Sequence, residues 1–169
     1  EAAVLPIKSK GVQGDKGTYA YTVGIIGEYN REPLLQIASE IPNRFKGKIN
    51  RVIYLIAPKD AASLQFAGLK KDYFRAKPRN IVARSNKIFI KNLRLANLYS
   101  GISQAFAVVC PLSLPDRGSH HGYSVILRAV DTEDFMTASP HWLPEPFLEQ
   151  VSSEIMSKIP EISMVFYDL

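Results

Sequence analysis

The 169-residue chain predicts an α+β domain made of two pseudo-repeated strand-helix-strand units, with an antiparallel sheet packed by helices. Three observations predict it: an internal repeat, amphipathic stretches alternating with β-branched and aromatic runs, and short Pro- or Gly-marked turns between them. Sliding residues 33–56 forward by 113 positions, without a gap, brings Pro33-Leu34-Leu35 onto Pro146-Phe147-Leu148 and Ile49 to Ile56 onto Ile162 to Leu169. Both copies end on a strand-forming run, Val52-Ile53-Tyr54 and Val165-Phe166-Tyr167. The preceding strand, Tyr19 to Val23, matches Tyr123 to Leu127 at an offset of 104, so the second copy carries nine more residues between strand and helix. Two copies are too few for a solenoid and read as one compact pseudo-symmetric domain over 1–169. Its parts are repeat 1 at about 11–58, a basic connector at 59–103, a strand and loop at 104–121, and repeat 2 at about 122–169.

Taken in order, residues 1–17 read as an approach segment with turn chemistry, from Pro6 and from three glycines in Gly11-Val12-Gln13-Gly14-Asp15-Lys16-Gly17. A strand is expected over 18–26. From Pro33 the apolar positions Leu34, Leu35, Ile37, Ala38 and Ile41 recur at helical spacing, with Glu32 at the start and Pro42 near the end. A strand over 49–57 closes at Pro58. Ala61 to Leu69 reads as a short helix, Lys77-Pro78-Arg79 as a linker and Lys87-Ile88-Phe89-Ile90 as a strand. Leu93, Leu95, Ala96 and Leu98 form a helical face capped by Gly101. A strand at 104–110 leads into a loop with Pro111, Pro115, Gly118, His120 and His121. The second unit follows as strand 122–130, an insert Asp131 to Pro144, helix 145–158 and strand 162–169.

Forty-six per cent apolar residues and a mean hydropathy near zero fit a globular chain and argue against disorder. No apolar run approaches the roughly 20 residues of a spanning helix, so no membrane is expected as partner. The chain opens at Glu1 with no initiator Met and no leader-like segment, which reads as a processed chain or a piece of a longer one. A single cysteine excludes an internal disulfide and a Cys-rich metal site and suggests a reducing, cytoplasmic setting. Cys110 ends an apolar run, Phe106-Ala107-Val108-Val109, and reads as a small core hydrophobe rather than a nucleophile. No metal site is expected: His120-His121 and His141 lack carboxylates at ligand spacing. Asp131, Glu133 and Asp134 crowd one loop, which suits acid–base work as well as helix capping.

Residues 70–94 hold nine Lys and Arg against one acid, Asp72, in a chain of net charge +5, so the rest is net negative. With Tyr73, Phe74 and Phe89 interleaved, this stretch raises a nucleic-acid reading, and Gly11-Val12-Gln13-Gly14 meets the Gly-x-x-Gly pattern of KH domains. A KH loop joins two helices, whereas here a Tyr-rich strand follows, so a KH-like RNA-binding module is the alternative and no specific nucleic acid is expected. The glycine segment is neither a Walker loop nor a dinucleotide fingerprint, since both need a strand before and a helix after. It reads as a plain turn or as an anion contact.

Several segments together resemble the C-terminal dimerisation domain of the GMP synthase family. They are Gly11-Val12-Gln13-Gly14-Asp15 with Tyr19-Ala20-Tyr21, Asn50-Arg51-Val52-Ile53-Tyr54, Ile102-Ser103-Gln104, Ser124 to Arg128 with Asp134-Phe135-Met136-Thr137, and Ile159-Pro160-Glu161-Ile162 with Tyr167-Asp168-Leu169. The doubling is similar to the long form of that family, in which the unit occurs twice. The resemblance implies a KH-like or related α+β topology and a homodimer built through this domain. It implies a role in converting xanthosine monophosphate (XMP) to GMP with ATP and glutamine. Carried over position by position, Asp15 and Gln104 are expected to contact XMP, and Lys16 to supply a phosphate contact where the family has Arg at the position of Gly17. The family continues past Tyr-Asp-Leu into a Lys-Pro-Pro tail, whereas this sequence stops at Leu169. The nucleophile elbow for glutamine hydrolysis and the Ser-Gly-Gly-Val-Asp-Ser loop for ATP are absent from these residues. The resemblance therefore implies no catalytic residue and no cofactor here. ATP and Mg belong to the full enzyme, with its ATP-pyrophosphatase domain as the neighbouring partner.

Overall fold

A computed structural model describes residues 1–13, 16–59, 76–113, 122–132 and 138–169, with backbone alone at 12, 13, 16–18 and 76. Its elements are β1 (Ala2–Gln13), β2 (Lys16–Ile25), α1 (Arg31–Arg44), β3 (Ile49–Ala57), α2 (Ala76–Leu95), β4 (Gln104–Cys110), β5 (Tyr123–Asp131), the two-residue β6 (Ser139–Pro140), α3 (Glu145–Lys158) and β7 (Ile162–Asp168). The α+β class holds. The main strands form one sheet in the order β1-β2-β3-β7-β5-β4, with β6 paired to β5.

The sheet is mixed rather than antiparallel throughout. A strand that leaves through a helix and returns to its neighbour arrives parallel, so β2 pairs with β3, and β5 with β7, in parallel. The hairpins β1-β2 and β4-β5, and the central pair β3-β7, are antiparallel. Each half is thus a ββαβ unit, and the halves meet strand to strand in the middle of the sheet.

The meeting is two-fold in register. Tyr54 lies opposite Tyr167, its own equivalent 113 residues on, while Ile53 faces Asp168 and Leu55 faces Phe166. The two tyrosines do the same job in their own halves. Tyr54 Oη donates to Gly27 O at 2.6 Å, in the loop between β2 and α1. Tyr167 Oη donates to His141 O, in the loop before α3. Tyr29 stacks on Trp142 at 4.3 Å and donates to Leu143 O, which ties the first loop to the second.

Alternation along the strands creates two cores. Val52, Tyr54, Ile56, Val125, Leu127, Ala129, Val165 and Tyr167 face the helices, where Leu148, Val151 and Ile155 of α3 and Ile81, Phe89 and Leu93 of α2 cover them. The opposite face carries a smaller core of Leu5, Ile53, Leu55, Cys110, Leu112, Ile126, Met164 and Phe166, with no helical residue in it among the described residues.

Several expectations need correction. Residues 2–13 are an edge strand, not a turn-rich approach. Pro6 sits where the β1-β2 register shifts between Leu5 and Lys8, and an edge strand tolerates a residue without N–H at such a bulge. Gly11 is required for close approach rather than for a turn: a Cβ there would stand 2.8 Å from Asn50 Nδ2, which donates to Ser9 O. Lys77-Pro78-Arg79 and Lys87 to Ile90 belong to α2, whose buried positions 81, 85, 88, 89, 92 and 93 recur at helical spacing. Pro78 is tolerated because it lies in the first turn. Asn97, not Gly101, ends this helix: it has φ 57°, and Leu98 N–H reaches Leu93 O while Asn97 N–H reaches Arg94 O, a Schellman closure. Pro42 lies inside α1, where Asn43 Nδ2 donates to Ser39 O nearby. The expected helix at 61–69, His120, His121, Glu133 and Asp134 lie outside the described residues.

Cys110 is buried, and burial pushes its thiol up to about 12. A thiol that stays protonated near neutrality is a poor nucleophile. Iodoacetamide at pH 8 should leave the native chain unmodified and alkylate Cys110 only in denaturant, as mass spectrometry would show; rapid native labelling would mean this corner opens.

Candidate functional site

The face on which no described helix packs is not closed by packing alone. Edge strands β1 and β4 both line a cavity of about 650 Å³, whose lining includes Ile7 and Ser9 of β1 and Gln104, Phe106 and Val108 of β4. Three charged residues reach its floor because alternation brings them to this face: Arg51 from β3, Arg128 from β5 and Asp168 from β7. Arg51 Nη1 and Arg128 Nη1 both donate to Oδ2 of Asp168. Asp168 is 3% exposed and each arginine side chain 23%. Oδ1 of Asp168 is buried with no hydrogen-bond partner among the described residues. Ser9 Oγ donates to Asn50 Oδ1 at 2.6 Å, and Thr22 Oγ1 to Ser9 Oγ at 3.4 Å, so β1 is fastened over the sheet beside this cluster.

Of the residues singled out from sequence, Gln104 falls at the cavity: it is the first residue of β4, exposed, and paired with Val130. Asp15 lies outside the described residues. Lys16 opens β2 opposite Gln13, and its side chain is likewise not described. Gly11, Val12 and Gln13 of the Gly-x-x-Gly run lie inside β1, a hairpin strand, and not between the helices a KH loop needs. Phe89 is fully buried and offers no stacking surface. Tyr73 and Phe74 lie outside the described residues. Part of the basic stretch holds α2 onto the second unit: Arg84 donates to Lys158 O, and Lys91 lies 3.9 Å from Glu154. Hydrogen bonds from Lys158 and Asn92 hold the Glu154 carboxyl below its ordinary value. Asp131 contacts His141 Nδ1 at 2.8 Å, which fixes the loop before α3.

Sequence reasoning missed Arg51, Arg128 and Asp168 as a cluster. The usable signal was a lone charge inside each of three apolar strand runs, in phase with the alternation. The first repeat lacks the same set: at the offsets of 104 and 113, Gly24 stands for Arg128 and Leu55 for Asp168. One polar floor is therefore built per chain, with Arg51 contributed across the central seam. Among the described residues no group of three or more His, Cys, Asp or Glu side chains could hold a metal. Two arginines around a single carboxylate do not suit Mg²⁺.

Residues 91–169, which contain the second ββαβ unit, match the family model described as GMP synthase C terminal domain. The chain is 47% identical over 92 residues to the GMP synthase [glutamine-hydrolyzing] of Chlamydia muridarum (strain MoPn / Nigg), covering 53% of this chain and 18% of that one. It is 46% identical over 93 residues to the same-named protein of Coxiella burnetii (strain Dugway 5J108-111), with the same shares. A putative GMP synthase of Chlamydia pneumoniae is 46% identical over 92 residues, 53% of this chain and 21% of its own. The chain thus spans about a fifth of the length of these curated relatives.

Proposed function

Because residues 91–169 match the GMP synthase C terminal domain model, we propose that the chain is the dimerisation and XMP-contacting region of an enzyme that aminates XMP to GMP with ATP and glutamine. The observation that supports it most is the placement of Gln104, within the family-matched region, at the mouth of a cavity with two arginines on its floor. In this reading the fragment contributes position, not bond-making. Its side chains hold the nucleotide while ATP, Mg²⁺ and ammonia act from the ATP-pyrophosphatase and glutamine-hydrolysing parts of the same cytoplasmic ligase. Asp15, which lies outside the described residues, and Lys16, the first residue of β2, are assigned to the nucleotide as well.

A homodimer is part of the proposal, and its surface is supported by Tyr19 at 69% and Tyr21 at 42% exposure on β2. Tyr54 is buried and adds nothing to that surface. No helix among the described residues is long and apolar enough to cross a membrane.

In the intact enzyme, Gln104→Ala should raise the KM for XMP about tenfold, the loss of one or two polar contacts. Glutamine hydrolysis and ATP binding should be unaffected. An unchanged XMP KM would remove Gln104 from the site.

A further inference from the structure

We propose that Arg51 and Arg128 form an oxyanion site of the phosphate-monoester class at the floor of the cavity between β1 and β4. The proposal deepens the XMP reading and depends on it only for the rest of the ligand. Two guanidinium groups share a single carboxylate oxygen, so the cluster keeps one net positive charge and spare N–H donors on both arginines. Asp168 holds the two forks side by side rather than cancelling them. Lys8 and Lys10 of β1 also line the cavity, opposite Tyr21 and Tyr19 of β2, and Lys8 leans over the Tyr21 ring at 4.9 Å. Apolar walls strengthen whatever the arginines bind, because Ile7, Phe106 and Ile126 displace water from around them. Val108, 38% exposed, and the Phe106 side chain leave an apolar wall for the body of a ligand whose anionic end lies on the floor.

A second observation points to a ligand. Asp168 Oδ1 is buried without a donor among the described residues, a state proteins rarely tolerate. A phosphate monoester carries hydroxyl donors on its sugar close to its acceptor oxygens, and so matches both needs of the floor. Inorganic phosphate alone satisfies the arginines and should bind more weakly than a sugar phosphate.

The test is amide NMR of the 169-residue chain titrated with inorganic phosphate and with ribose 5-phosphate, against chloride at matched ionic strength. Saturable shifts confined to 6–10, 104–110 and the strand ends around Arg51, Arg128 and Asp168 are expected, with millimolar affinity for phosphate and about tenfold tighter binding of ribose 5-phosphate. Arg51→Lys and Arg128→Lys keep the charge but lose the planar fork, and each should weaken binding about tenfold. Should those variants lose their fold, Val108→Glu at the exposed wall places a negative charge in the cavity and should abolish the response in a folded chain. Shifts reproduced by chloride, or unchanged in the folded Val108→Glu variant, would overturn the site. Saturable phosphate binding without competition by XMP keeps the oxyanion site and rejects the XMP reading. XMP binding that phosphate cannot displace does the reverse.

Discussion

Phe166→Ala should lower the free energy of unfolding by about 3–5 kcal/mol, read by urea denaturation. Phe166 is fully buried on β7, one of the two central strands, and packs on the face over which no described helix lies. Its neighbours Ile53, Leu55, Ile126 and Met164 are fixed by pairing within the sheet, so they cannot collapse into the space left. Phe166→Leu retains most of the volume and should be much milder. An alanine variant within about 1 kcal/mol of the parent would show that β1 and β4 close down over this face.

Asp168→Ala should destabilise by about 3 kcal/mol, because it leaves two guanidinium groups facing each other without the carboxylate that holds them. The upper end of that range is discounted, since each arginine side chain is 23% exposed and water screens part of the repulsion. Adding Arg128→Met to Asp168→Ala should restore part of the loss, and salt should narrow the gap between Asp168→Ala and the parent. A double variant less stable than Asp168→Ala would mean that the aliphatic packing of Arg128, not its charge, matters most.

Much of this was legible before the structure. The 113-residue offset located the equivalent strands, and the helix over 145–158 coincides with α3, because Pro146 marks its first turn and its apolar positions repeat at helical spacing. The failures share a cause. Lys87-Ile88-Phe89-Ile90 is a four-residue apolar run, too short to show period, and only the wider stripe from Ile81 to Leu93 reveals a helix. Gly11 and Pro6 announce turns in most contexts. Here one admits the Asn50 side chain and the other sits at an edge bulge, and both depend on partners about 15 to 45 residues away. Gln104 was singled out only through the family resemblance, and it falls at the cavity. The Arg51–Asp168–Arg128 cluster was not, since its members meet only when the two halves join, Arg51 crossing from one to the other.

That seam changes what concentration means for this molecule. Tyr54 lies opposite Tyr167 in a pairing symmetric about their midpoint, the arrangement two separate copies of one ββαβ unit would make by self-association. Tethering both units in one polypeptide turns that bimolecular encounter into a ring closure, with an effective concentration on the order of millimolar for a flexible tether. Dilution cannot undo it. Freed from the need to be identical, the halves carry different residues at equivalent positions, Gly24 against Arg128 and Leu55 against Asp168.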